Sequence, residues 1–208
     1  FFQGPAYDFL LRAVRVALEE DGPDLTADAV FTPTARMQAF IVAKQHTLVA
    51  GLPIARLVLE GTARTVPGDW NLEFSAADGD ILKDGDEVCR MQGPARLLLR
   101  AERIILNFLT HMSGIANLTR RYVEALEGTG VRLLDTRKTL PGLRYPEKYA
   151  VLVGGGCNHR KNLAELLMLK DNHIAAAGSV RAAVAALAGA YDPMPPVEVE
   201  CRTLAEVC

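Results

Sequence analysis

Apolar residues fall at Phe9, Leu10, Ala13, Val14, Ala17 and Leu18, the spacing of one helical face, and Asp21-Gly22-Pro23 then interrupts the pattern. The spacing predicts an opening helix over residues 6–20. Beyond it the pattern changes. Residues 37–43 and 48–52 read as strands, 53–60 as a helix with Pro53 in its first turn, and 71–75 as a further strand. Asp78-Gly79-Asp80 and Asp84-Gly85-Asp86 are turn sequences. Residues 6–94 therefore predict a small α+β domain.

From residue 94 to 112 the chain is strongly helical. After Ser113-Gly114 a second helix is expected to about residue 126, where Glu127-Gly128-Thr129-Gly130 stops it. These two helices are expected to link two domains. Past Gly130, short apolar runs at 131–134, 166–169 and 197–199 are separated by segments long enough for crossovers, the texture of βαβ units. Residues 145–153 read as helical. Ser179 is placed to cap a helix over 180–188, and Pro193, Pro195 and Pro196 precede the last run. The second domain is thus residues 95–208, the linking helices plus the first part of an α/β barrel. Residues 1–5, Phe1-Phe2-Gln3-Gly4-Pro5, resemble the remnant of a protease-cleavage linker and are left out of the fold argument. The sequence stops at Cys208 shortly after a predicted strand, so it is expected to be cut short.

With 50% hydrophobic and 23% charged residues in 208, the composition is that of a soluble globular protein. No run of about 18 apolar residues predicts a membrane span, and no secretory pattern opens the chain, so the cytoplasm is the expected compartment. Cys89, Cys157, Cys201 and Cys208 lack CxxC or zinc-finger spacing and read as free thiols. Charge changes the picture more. Between Val131 and Ile174 eight cations face four acids, so with the whole chain at −2 the positive charge is local. A local patch suits a small anionic ligand and argues against nucleic acid as a partner.

Each apolar run ends in chemically useful residues: Asp135, Thr136, Arg137 and Lys138 after the first, Lys170 and Asp171 after the second, Glu200 after the third. In parallel α/β architectures ligands lie at the carboxyl ends of strands. The alternation Val197-Glu198-Val199-Glu200 puts both glutamates on one face, directed either into a barrel or to water. Gly154-Gly155-Gly156 is either a helix C-cap or a close backbone approach to a ligand. Walker A and GxGxxG patterns are absent, which removes the usual support for nucleotide hydrolysis and dinucleotide binding. Cys157 beside His159 is read as a small buried residue, since sequence neighbours rarely face each other as nucleophile and base. Arg103, taken alone, reads as a solvated surface cation. Arginines, lysines and a histidine suit a compound with several negative charges, their forks matched to carboxylate or phosphate.

The strings LLDTRKTLPGLR at 133–144, KYAVLVGGGCNHR at 148–160, LKDNHI at 169–174 and VEVE at 197–200 resemble quinolinate phosphoribosyltransferases. The likeness extends upstream through GPARLLLRAERIILNFLTHMSGIA at 93–116. It implies an N-terminal α+β sandwich domain followed by a type II α/β barrel-like phosphoribosyltransferase domain. The implied reaction joins quinolinate to phosphoribosyl pyrophosphate with Mg²⁺, giving nicotinate mononucleotide, pyrophosphate and carbon dioxide in NAD biosynthesis. By resemblance, Arg137, His159 and Arg160 hold the quinolinate carboxylates, and Lys138 and Lys170 lie near the carboxylate and phosphate groups. Glu200 serves the ribose hydroxyls and the Mg²⁺ region, and Thr136 positions the ligand. Lys138, Lys170 and Glu200 are the expected catalytic set. Arg103 is expected to reach the site of a neighbouring subunit in a homodimer, or a higher oligomer, with shared sites. Two departures stand out: Lys161-Asn162-Leu163-Ala164-Glu165 replaces the family's usual glycine-leucine pair and aspartate, and the family's aspartate and phosphate loops beyond VEVE do not occur. A chain truly ending at Cys208 is expected to be an inactive ligand-binding fragment. A same-fold paralogue, such as the molybdenum-utilisation homologue, is the other alternative.

Overall fold

A computed structural model describes residues 1–207, which form two compact units, 1–159 and the residues from 160 onward. The first unit opens with α1 (Gly4–Asp21), which buries Leu10 and Val14 and ends at Gly22, where φ is 65°. Helix α2 (Leu25–Val30) follows, its first turn capped by Asp24, whose carboxylate accepts from the Ala27 N–H at 2.9 Å. Strands β1 (Arg36–Val42) and β2 (Thr47–Leu48) lead to α3 (Leu52–Ala63). Strands β3 (Asn71–Phe74), β4 (Ile81–Leu82) and β5 (Glu87–Pro94) complete the β content of this unit. The sheet is antiparallel in the order β1-β5-β3, and β2 pairs separately with β4.

Residues 48–52, expected as one strand, are divided. Only Thr47 and Leu48 pair, and Leu52 already opens α3, its N–H held by the Asp78 carboxylate at 2.9 Å. The central strand β5 was not predicted, although Cys89, Met91 and Gly93 are buried between exposed Arg90 and Gln92. Its glycine and proline read as breakers. Gly93 is there because Trp70 lies so close that an added Cβ would meet its Cβ at 2.9 Å.

The two expected linking helices are one, α4 (Ala95–Ala125). Gly114 weakens a helix by only about 1 kcal/mol, and buried Met112 and Ala116 bracket it on the core face. Ser113 is also occupied, its hydroxyl accepting from the Ala50 N–H at 3.0 Å. Since α4 lays Leu97, Leu98, Ile104, Ile105 and Leu109 into the same core as α1, α3 and the sheet, it packs within the first compact unit, which runs to residue 159. Residues 1–5, set aside above, contribute to the packing: α1 begins at Gly4, and the Phe2 ring meets Tyr149 edge-on at 5.1 Å.

Helix α5 (Arg144–Val153) ends the helical part of this unit. The expected strand at 131–134 does not form. It is an extended segment with one parallel bridge, Leu134 to Cys157, and with Val131 and Leu134 in solvent no apolar face holds it in a sheet. The second unit contains β6 (Leu167–Leu169), α6 (Asp171–Ala177), α7 (Val180–Ala190), β7 (Val197–Val199) and α8 (Leu204–Val207). Strands β6 and β7 pair in parallel, Leu167 opposite Val197, so the expected βαβ texture is present. Ser179 caps α7, accepting from Ala182 N–H at 3.1 Å. Among the described residues no single helix is long and apolar enough to cross a membrane; α6 and α7 qualify only together and are bent by 88°. Cys89, Cys157 and Cys201 are free thiols, and Cys208 lies outside the described residues.

Candidate active site

In the first unit two short segments run side by side. The Cys157 N–H donates to the Leu133 carbonyl at 2.8 Å, and the Asp135 N–H returns to the Cys157 carbonyl at 3.0 Å. Asp135 then folds its carboxylate inward. It accepts from the His159 N–H at 2.9 Å and from Asn158 Nδ2 at 2.6 Å, and it forms an ion pair with Lys148 of α5. Lys148 has a side chain 1% exposed, Asp135 one 7% exposed. Nζ of Lys148 also donates to the His159 carbonyl at 3.1 Å, and its own carbonyl accepts from Asn158 at 2.8 Å. A buried lysine is tolerable only when its charge is paired and hydrogen-bonded, and here both conditions are met.

The loop leaving Asp135 carries the predicted Thr136, Arg137 and Lys138. Thr136 Oγ1 accepts from the Lys138 N–H at 3.0 Å, which turns the chain locally. Arg144 Nη2 donates to the Arg137 carbonyl at 3.2 Å, and the Leu140 N–H to the Glu147 carboxylate at 3.2 Å. Glu147 Oε1 also lies 3.1 Å from His111 Nε2. Lys138 remains exposed. Arg137 is different: its Nε is buried and meets no acceptor among the described residues.

The glycines after α5 resolve between their two readings. Gly154 caps the helix, and Cβ atoms at Gly154 and Gly156 would meet the Ala116 carbonyl at 2.5 Å and Thr119 Cγ2 at 3.0 Å. The close approach is to α4 of this chain. Arg103 sits on the exposed face of α4 and makes no hydrogen bond or ion pair with the other predicted residues of its unit.

In the second unit Lys170 and Glu200 stand at the ends of β6 and β7, and their charged groups are 3.1 Å apart with side chains 44% and 54% exposed. Asp171 and Arg202 form a second exposed pair at 2.7 Å. The hydrogen bond from the Asn172 N–H, with Arg202 beside it, holds the Asp171 carboxyl below its ordinary range. His173 Nδ1 accepts from the Lys170 N–H at 3.0 Å, capping α6. Arg160 directs Nη1 to the Leu166 carbonyl at 2.8 Å. The unusual segment 161–165 closes on itself: Glu165 accepts from the Lys161 N–H at 2.7 Å and Asn162 from the Ala164 N–H at 2.9 Å. Glu198 and Glu200 are both exposed, opposite half-buried Val197 and Val199. Among the described residues no group of three or more His, Cys, Asp or Glu is placed to hold a metal ion.

An α+β domain and a parallel strand–helix–strand unit whose strands lead into Lys170 and Glu200 place the chain in the mixed α/β class. Family models make the class specific: the quinolinate phosphoribosyl transferase N-terminal domain matches residues 24–113 and the C-terminal domain residues 115–208. The chain belongs to the quinolinate phosphoribosyltransferase family. It is 41% identical to the nicotinate-nucleotide pyrophosphorylase (carboxylating) of Mycobacterium leprae, covering 97% of this chain and 71% of that one. It is 40% identical to quinolinate phosphoribosyltransferase (decarboxylating) 1 of Nicotiana glauca over 98% of its length, but spans 58% of that relative. The NadC crystal structure from Streptococcus pyogenes superposes with a TM-score of 0.84 at 44% identity, covering 94% of this chain and 68% of that one. The two-domain fold expected from the sequence is thus the fold of the family.

Proposed function

We propose that the protein transfers the phosphoribosyl group of phosphoribosyl pyrophosphate to quinolinate, releasing pyrophosphate and carbon dioxide and leaving nicotinate mononucleotide. The observation that carries this reading is the match of both family domains across residues 24–113 and 115–208, with Arg137 and Lys138 on the loop that leaves Asp135. The family resemblance assigns Arg137, Lys138, His159, Arg160, Lys170 and Glu200 to the two substrates. Arg137, His159 and Arg160 hold the two carboxylates; the lysines offset the charge of carboxylate and phosphate groups that otherwise repel one another. The pyridine nitrogen forms its bond to ribose C1 as the bond from C1 to pyrophosphate breaks. Glu200, on the sugar side, faces the positive charge that develops there. The carboxylate next to the now quaternary nitrogen then leaves as carbon dioxide, its electron pair stabilised by that nitrogen until a proton takes its place.

Glu200, exposed and 3.1 Å from Lys170 Nζ, is the carboxylate that would hold Mg²⁺ on parting from that lysine. Such an ion would supply charge neutralisation for the pyrophosphate leaving group. Arg103, exposed on α4, serves the site of a second subunit in a homodimer. Incubation with quinolinate, phosphoribosyl pyrophosphate and Mg²⁺ should yield nicotinate mononucleotide and labelled carbon dioxide from carboxyl-labelled quinolinate. Product from nicotinate in preference to quinolinate, or none from either, would sink the reading.

A further inference from the structure

We propose that Lys148 is a positioning residue: through Asp135 it locks the segment that carries Arg137 and Lys138 to the segment that carries His159. The inference rests on the functional reading above for what those segments bind, and on geometry for the lock itself. Two backbone hydrogen bonds join the segments, between Cys157 and Leu133 and between Asp135 and Cys157. Two such bonds define one bridge and leave the segments free to twist about it. The Asp135 carboxylate adds the missing constraints, since one oxygen takes the His159 N–H and Lys148 Nζ while the other takes Asn158 Nδ2. Lys148 then closes the arrangement by donating to the His159 carbonyl. His159 is therefore held at both its N–H and its C=O by one buried ion pair.

None of these atoms is offered to a ligand. Lys148 is shut away from solvent, so unlike Lys138 it cannot meet a substrate directly. Its action is on the spacing between the side chains that do. A carboxylate pocket needs that spacing held to within a fraction of an ångström, which a rigid, fully satisfied polar network supplies and a flexible loop does not.

The test compares the full chain with Lys148→Met and with the double variant Lys148→Met/Asp135→Asn. The single variant leaves Asp135 buried without its cation. The double variant removes both charges while keeping a side-chain acceptor for the His159 N–H. Amide exchange should quicken at least tenfold at Asp135 and His159 in both variants, with the sheet core of the first unit unchanged. The double variant should regain thermal stability but bind quinolinate, measured by calorimetry, at least tenfold more weakly than the parent. A double variant with parental quinolinate affinity, or parental protection at Asp135 and His159, overturns the proposal and leaves Lys148 a structural residue only. If the parent chain itself binds no quinolinate, the functional reading fails, and the exchange measurements alone still decide whether the lock exists.

Discussion

Lys148 with Asp135 and Lys170 with Glu200 are the same chemical pair in opposite surroundings. The first is enclosed, with side chains 1% and 7% exposed, and both Asp135 oxygens and Lys148 Nζ have hydrogen-bond partners. The second stands in water at the ends of two short parallel strands, with side chains about half exposed. The difference separates two tasks that charge alone does not distinguish. An enclosed pair cannot exchange partners without exposing a bare charge to a low-dielectric interior, so it holds backbone in place. An exposed pair exchanges partners readily, because water and salt compensate each ion while it is open. Lys170 and Glu200 can therefore release each other for a phosphate and a sugar hydroxyl, whereas Lys148 and Asp135 stay together throughout.

The largest expected effect follows from removing one member of the enclosed pair. Lys148→Met should lower unfolding free energy by about 3–5 kcal/mol, the usual consequence of leaving a buried charge without its counter-ion. Urea unfolding of parent and variant measures it. A loss under about 1 kcal/mol would mean that water reaches Asp135 freely, and the contrast between the two pairs would collapse. Arg137→Ala tests the ligand-facing side of the same unit. It should weaken quinolinate binding by about 1.5–3 kcal/mol, the range for a hydrogen bond to a charged group. The melting temperature should hardly move, since the Arg137 carbonyl, not its side chain, holds the loop to Arg144. Unchanged affinity in calorimetry would remove Arg137 from the site.

The same contrast explains which parts of the molecule could be read from sequence. Helices α1, α3, α5 and α7 and strands β1, β3, β6 and β7 announce themselves through apolar spacing and through breakers such as Gly22-Pro23 and the cap Ser179. Strand β5 did not, because Gly93 and Pro94 look like a turn until Trp70 is known to lie against them. The single helix α4 was split in reading at Ser113-Gly114, since only the tertiary partner Ala50 shows why a serine sits there. Helix α6 was missed because its seven residues are too few to show an apolar period. Arg137 and Lys170 were legible as charges at the ends of apolar runs and then, with His159, as members of a family motif. Lys148 was counted in the same patch but not singled out. Its burial depends on Asp135, thirteen residues earlier, and on Asn158, ten later, a pairing with no helical or strand period to betray it.

The smallest effect is expected at the exposed pair, and it is the sharpest test of the contrast. A double-mutant cycle with Lys170→Met and Glu200→Gln should return a coupling energy for stability of about 0.2–1 kcal/mol, as solvent-exposed ion pairs do. The coupling should shrink further between 0.05 and 1 M salt, where the screening length falls to roughly 3 Å. Each single variant should nonetheless lose most of the transferase activity, since both groups are assigned to the reacting substrates. A salt-independent coupling above about 2 kcal/mol would place Lys170 and Glu200 in the same category as Lys148 and Asp135. Their 3.1 Å contact would then be a fixed part of the fold, and the groups left to meet phosphate and ribose would have to be sought elsewhere.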